Sequence, residues 1–178
     1  SPRELPTGDG AAAYAAAAPE ANRLFYVYSE AGRPDEIWSR PLDGDGPSEP
    51  VTDLNRSVRQ RRLAQCEVVR WRTHDGLDVE GLLYHPTQPG ARRPWPLIVM
   101  PHGGPYGASI AGYVGSAVPN IYCAAGYACL LPNFRGSTGR GRAFTRKIIR
   151  DWGDGPFGDT MAGVDYLVKT YPFIDGRR

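Results

Sequence analysis

The sequence predicts an α/β fold, and three observations carry that reading. Two near-continuous apolar runs, at 96–101 and 127–132, read as buried strands. A helix-length segment lies between them, and a strand, helical crossover and second buried strand imply parallel pairing within one sheet. The first run stops at His102-Gly103-Gly104, where glycines let the backbone turn sharply and leave its N–H groups bare. Bare N–H groups at a strand end can hold an oxyanion.

The elements follow in chain order. Residues 1–22 are rich in Ala, Gly and Pro without dependable periodicity, which predicts coil or a weak helix. The aromatic and β-branched stretch 23–29 and the stretch 36–40, joined through a Gly-Arg-Pro turn, predict a β-hairpin. A hairpin alone is marginal in water, so this one needs a larger sheet and is read as part of a propeller blade. Arg56, Arg59, Arg61 and Arg62, with Arg70 just beyond, have no interleaved aromatics and read as a solvated connector between domains. Residues 66–71 and 77–84 flank His74-Asp75-Gly76, a hairpin turn signal. Asp-Gly at a hairpin tip accounts for His74 and Asp75 without catalysis. Helices are expected over 114–125, ended by Gly126, over 142–150, and over 159–170. The last has Asp159 as its N-cap and Met161, Val164, Tyr166, Leu167 and Val168 as its apolar stripe.

Composition narrows the function. With 41% hydrophobic and 22% charged residues the chain is neither disordered nor fibrous, and a net charge of +2 gives nucleic-acid binding little support. Cys66, Cys123 and Cys129 lack metal-ligand or redox spacing and are expected to be small buried apolar groups. No metal or cofactor is expected. No run approaches the roughly 20 apolar residues that cross a bilayer, and residues 11–18 lack the flanks of a signal peptide. The unpaired cysteines point to a cytoplasmic setting. The first residue is Ser1 rather than Met, and the chain reads as part of a longer one.

The glycine-rich stretch Arg135-Gly136-Ser137-Thr138-Gly139-Arg140-Gly141 invites two readings that its residues refuse. It lacks the lysine of a phosphate loop and matches neither glycine fingerprint for nucleotides. A nucleophile elbow requires glycines two residues either side of the serine, and Arg135 occupies the first of these positions for Ser137. Ser109 fails with Ala111 in the second position. In an α/β-hydrolase the oxyanion loop follows the third strand and the nucleophile the fifth. The strands near 66, 78, 96 and 127 count as one to four, so a fifth begins just past Ile174 and the nucleophile lies downstream of this chain.

His102-Gly103-Gly104-Pro105-Tyr106, Asn133-Phe134-Arg135-Gly136-Ser137-Thr138-Gly139 and Asp151-Trp152-Gly153, in this order and spacing, resemble the prolyl oligopeptidase family of serine peptidases, nearest its acylaminoacyl-peptidase and dipeptidyl-peptidase-like branch. The resemblance extends over roughly residues 22–178. It implies the last hairpin of a β-propeller with its connector at 1–60, and the N-terminal half of an α/β-hydrolase domain at 61–178. It implies peptide substrates and a Ser, Asp, His triad beyond Arg178, so that the 178 residues alone are inactive. It assigns the oxyanion loop to His102, Gly103 and Gly104, with the Gly104 N–H as donor. Where His102 stands, prolyl oligopeptidases proper carry a tyrosine hydroxyl, so His102 is expected to shape the loop by packing or hydrogen bonding. Tyr106 is a candidate substrate contact, Arg135 is expected to pair with an acid such as Asp151 or Asp159, and Trp152 is expected in the core. The alternatives are an esterase or lipase with a similar His-Gly-Gly loop, which the hairpin before residue 60 argues against, and a non-catalytic hydrolase-like binding module. The residues after Arg178 discriminate between catalysis and binding.

Overall fold

The computed structural model describes residues 10–44, 46–88, 90 and 93–177. The chain divides into two compact units. One runs to Leu63 and takes in Ile110–Ala117, and the other comprises Ala64–Ser109 and Val118–Arg178.

In the first unit four antiparallel strands lie side by side in chain order: β1 (Ala11–Ala18), β2 (Arg23–Glu30), β3 (Arg33–Pro41) and β4 (Glu49–Pro50). The expected hairpin is β2 with β3, but its turn is tighter than the Gly-Arg-Pro signal suggested, because Glu30 already pairs with Arg33 and Pro34 sits inside β3. Residues 11–18 correct the expectation of coil or weak helix. They form β1, paired with β2 and interrupted by an irregularity between Ala13 and Ala16. Alanine has little strand preference of its own, and the open edge of β2 supplies the ladder bonds that decide its conformation. The Glu36 carboxylate of β3 is buried and accepts N–H bonds from Leu54 at 3.0 Å and Asn55 at 2.8 Å, with the Thr52 hydroxyl as a third donor. Burial alone would push that carboxyl up, but these donors outweigh it and hold Glu36 below its ordinary value. Between β4 and the end of this unit lies one helical turn, α1 (Arg56–Arg59), and Arg61 and Arg62 are exposed.

The second unit is built on β5 (Cys66–Arg72), β6 (Asp78–Tyr84), β7 (Leu97–Val99) and β8 (Ala128–Asn133), ordered β5-β6-β8-β7. β5 and β6 form the expected antiparallel hairpin around the 73–77 turn, where Gly76 takes a φ of +83°. β8 is antiparallel to β6 and parallel to β7, so the apolar runs 96–101 and 127–132 do pair as the crossover required. All six residues of β8 are buried, which is why its sequence shows no alternation. β7 is the terminal strand of the sheet. The helix between β7 and β8 is α2 (Tyr113–Ala124), one residue from expectation.

The later helices depart further. Residues 142–150 form a short α3 (Arg142–Thr145) and a 3-10 turn (Arg146–Ile148) rather than one helix. The last helix, α4, spans Asp154–Thr170 and starts five residues before the expected 159. Gly155 and Pro156 read as loop residues, but they fall in the first turn, where backbone N–H groups have no helical partner and proline removes no bond. Asp159 is therefore an interior residue, not an N-cap. The buried face of α4 is Asp159, Ala162, Gly163 and Leu167, whereas Met161 and Val168 of the expected stripe are exposed. Small residues define the face because the helix comes close to the Trp71 ring. A Cβ on Gly163 would lie 2.7 Å from Trp71 Cζ2, and one on Gly81 of β6 would lie 3.0 Å from Cη2 of the same ring. Trp71 also donates its indole N–H to the Asp159 carbonyl at 2.8 Å. Around it Val69, Val79, Leu83, Leu130, Phe144 and Leu167 make the core.

Candidate active site

β7 ends at Val99, and the chain emerges through Met100 and Pro101 into the loop that begins at His102. Gly103 and Gly104 are exposed, and Gly104 adopts a φ of +146°, which a side chain rarely permits. A Cβ there would stand 2.5 Å from the Tyr106 nitrogen, so the turn requires glycine. Among the described residues no acceptor lies within hydrogen-bonding reach of the N–H groups of Gly103 or Gly104.

His102 is half-buried and packs by stacking. Its ring lies 4.5 Å from that of Phe134 at an interplanar angle of 16°. Ser137, fully buried, donates its hydroxyl proton to the Phe134 carbonyl at 2.6 Å. With that proton committed, Ser137 Oγ accepts from His102 Nε2, 2.8 Å away. Nδ1 of the same ring lies 2.9 Å from the Gly103 carbonyl. His102 thus shapes the loop by both packing and hydrogen bonding. Ser137 is enclosed and its hydroxyl engaged, in keeping with its failure as a nucleophile elbow. Tyr106, the candidate substrate contact, is exposed.

Next to this loop, Arg135 makes the ion pair expected of it. Asp159, fully buried, receives three N–H bonds from that one residue: the backbone N–H at 2.7 Å, Nε at 2.9 Å and Nη2 at 2.7 Å. Nη2 also reaches Asp75 at 2.8 Å, while Asp151 stands farther off at 3.9 Å from Nη1. Hydrogen bonding to Asp159 raises the guanidinium above its ordinary range, against the opposing effect of burial. The Thr73 hydroxyl, and then Arg135, hold the Asp75 carboxyl down to about 2. The hairpin-tip reading of Asp75 was therefore incomplete, since the turn also delivers a carboxylate to Arg135. A cavity of about 200 Å³, lined by His74, Asp75, Arg135 and Asp154, opens beside this cluster.

Cys123 and Cys129 are buried and Cys66 is partly so, all three as free thiols. Burial pushes the Cys66 thiol up to about 11, far from a reactive thiolate. Trp152 is 70% exposed, which corrects its assignment to the core. It lies in the bend between the 3-10 turn and α4. Also among the described residues, no cluster of three or more His, Cys, Asp or Glu could hold a metal ion, and no helix is long and apolar enough to cross a membrane.

Residues 114–178 match the prolyl oligopeptidase family, a family of serine peptidases. An uncharacterized peptidase of Bacillus subtilis, YuxL, is 31% identical over 161 residues, which are 90% of this chain and 24% of that protein. Among solved structures, the acylaminoacyl peptidase of Pyrococcus horikoshii in its orthorhombic crystal form aligns with a TM-score of 0.81 at 25% identity, covering 97% of this chain and 26% of that one. An acylaminoacyl peptidase in complex with Z-Gly-Gly-Phe-chloromethyl ketone aligns with a TM-score of 0.78 at 26% identity, covering 97% of this chain and 27% of that one. The chain belongs to the prolyl oligopeptidase family. It spans about a quarter of the length of these relatives.

Sequence reasoning missed two contributors to the loop, Asn133 and Ser137. Asn133 holds Ser109 through both atoms of its amide, and Ser137 holds His102. Their only sequence signal was their place in the same motif as Arg135.

Proposed function

We propose that this chain is the oxyanion-loop segment of a serine peptidase that hydrolyses peptide bonds of short peptides by acyl transfer. The Gly104 N–H is the donor within it, Gly103 completes the turn, and the attacking serine with its Asp and His partners lies beyond Arg178. The observation that carries the proposal is the pair of unbonded, exposed amides at the end of β7. A tetrahedral intermediate places negative charge on the former carbonyl oxygen, and one preorganised donor aimed at it is worth roughly 3 to 4 kcal/mol of barrier. The order β5-β6-β8-β7 supports reading residues 61–178 as the first half of a hydrolase domain, since it makes β7 the third strand of the unit, parallel to the fourth and ending at the candidate oxyanion loop. The four-stranded antiparallel meander supports reading residues 1–60 as the end of a propeller. The peptide nature of the substrate is supported by the solved relative bound to a peptidyl chloromethyl ketone.

The test is labelling by a serine-directed fluorophosphonate. The full-length protein is expected to label at a serine beyond residue 178, and the 178 residues alone are expected not to label. Labelling at Ser137 would overturn the assignment, as would a full-length protein that contains no reactive serine.

A further inference from the structure

Among the described residues, the loop that carries Gly104 is hydrogen-bonded by the last residue of β8 and by the segment that follows it. Ser137 Oγ receives His102 Nε2 at 2.8 Å, the Thr138 N–H donates to the Gly107 carbonyl at 2.8 Å, and the Asn133 amide grips Ser109 twice, Nδ2 to the carbonyl at 3.0 Å and Oδ1 from the N–H at 2.7 Å. The attachments fall at 102, 107 and 109. Between them, none of the N–H groups of Gly103, Gly104 and Tyr106 has an acceptor among the described residues, and Pro105 has no N–H. Gly107 belongs to the same arrangement, because a Cβ there would meet the Gly103 carbonyl at 2.8 Å and His102 Nδ1 at 2.9 Å and push the ring away. Both anchoring side chains are buried, Ser137 at 0% and Asn133 at 8% exposure, so neither is presented to a substrate.

We propose that Ser137 and Asn133 are positioning residues for the oxyanion donor: together they fix both ends of the 102–109 loop so that the Gly104 N–H keeps its direction when charge develops. This inference rests on the assignment of Gly104 as that donor. The physical reason is that an amide in an unpaired glycine turn has no ladder to hold it, and glycine admits many backbone conformations. A donor that must stabilise charge without reorganising needs its stiffness from elsewhere. Here it comes from a histidine ring clamped between a serine hydroxyl and a phenylalanine face, and from an asparagine amide that imitates a strand partner.

The experiment compares Ser137→Ala with the parent in the full-length protein, by steady-state kinetics on a peptide substrate and by hydrogen–deuterium exchange of the 102–109 peptide. Misplacing rather than deleting a donor is expected to lower kcat by about 10- to 100-fold, with KM within about twofold. Deuterium uptake over 102–109 is expected to rise while uptake in β5 and β6 stays unchanged. If uptake rises and kcat does not fall, the clamp is real but Gly104 is not the donor, and the inference falls with that assignment. If neither changes, the clamp itself is refuted and the assignment of Gly104 is untouched. Should Ser137→Ala fail to fold, Asn133→Ala removes the opposite anchor and is read by the same two measurements.

Discussion

Replacing Asp159 by alanine should cost the protein about 3 kcal/mol, and the number follows from its surroundings. The carboxylate has no solvent exposure and takes three N–H bonds from Arg135 at 2.7 to 2.9 Å. Removing one partner of a buried pair typically costs about 3 to 5 kcal/mol, because the other charge is left uncompensated. Two features put this site at the lower end: Asp75 remains 2.8 Å from Nη2, and the Arg135 side chain keeps 14% exposure. Urea unfolding reads the effect directly. With a slope of about 2 kcal/mol per molar urea, the midpoint should fall by about 1.5 M at unchanged slope. The control is Asp75→Ala, whose side chain is 55% exposed and whose loss should cost under about 1 kcal/mol. A midpoint shift below about 0.5 M for Asp159→Ala, or equal shifts for the two variants, would refute the view that Arg135 is organised around a buried partner.

The Asp75 carboxyl should titrate near 2 in the folded protein, below the ordinary 3.8. Its folded value is depressed, so its contribution to stability is complete above about pH 3.8 and is lost as pH falls through 2. Carboxyl-carbon NMR checks the midpoint, Thr73→Val should raise it, and a midpoint at or above 3.8 would contradict the hydrogen bonding described. Gly163→Ala should destabilise by about 1 to 3 kcal/mol, although alanine is the better helix former by about 1 kcal/mol, because the new methyl would enter the Trp71 ring. A thermal melt decides it, and a variant as stable as the parent would mean that α4 can move away from β5 at little cost.

The residues that made the second unit legible are those whose pattern states their environment. The β8 sequence is apolar up to its last residue, Asn133, because both faces are covered, and the 73–77 turn carries Asp-Gly at its tip. Where the reading failed, tertiary contacts had overridden local preference. The alanines of β1 were unreadable because their strand is made by the open edge of β2. The start of α4 was misplaced because glycine and proline signal a loop everywhere except in a first helical turn. Asp159 looked like a cap because its true partner, Arg135, is 24 residues away. At the candidate site, the His-Gly-Gly turn could be read from its glycines alone. The anchors Asn133 and Ser137 could not, because an asparagine at the end of an apolar run and a serine in a glycine-rich stretch announce turns, and the pairing of β7 with β8 is what brings Asn133 to Ser109 and Ser137 to His102.

The most direct test is a crystal structure of the full-length protein carrying a tetrahedral boronate or phosphonate on its reactive serine. An adduct oxygen about 2.7 to 3.1 Å from the Gly104 nitrogen, with Gly104 still in its present backbone conformation, is the expected result. An adduct oxygen bonded by other donors, with the Gly104 N–H turned to solvent, would contradict the account.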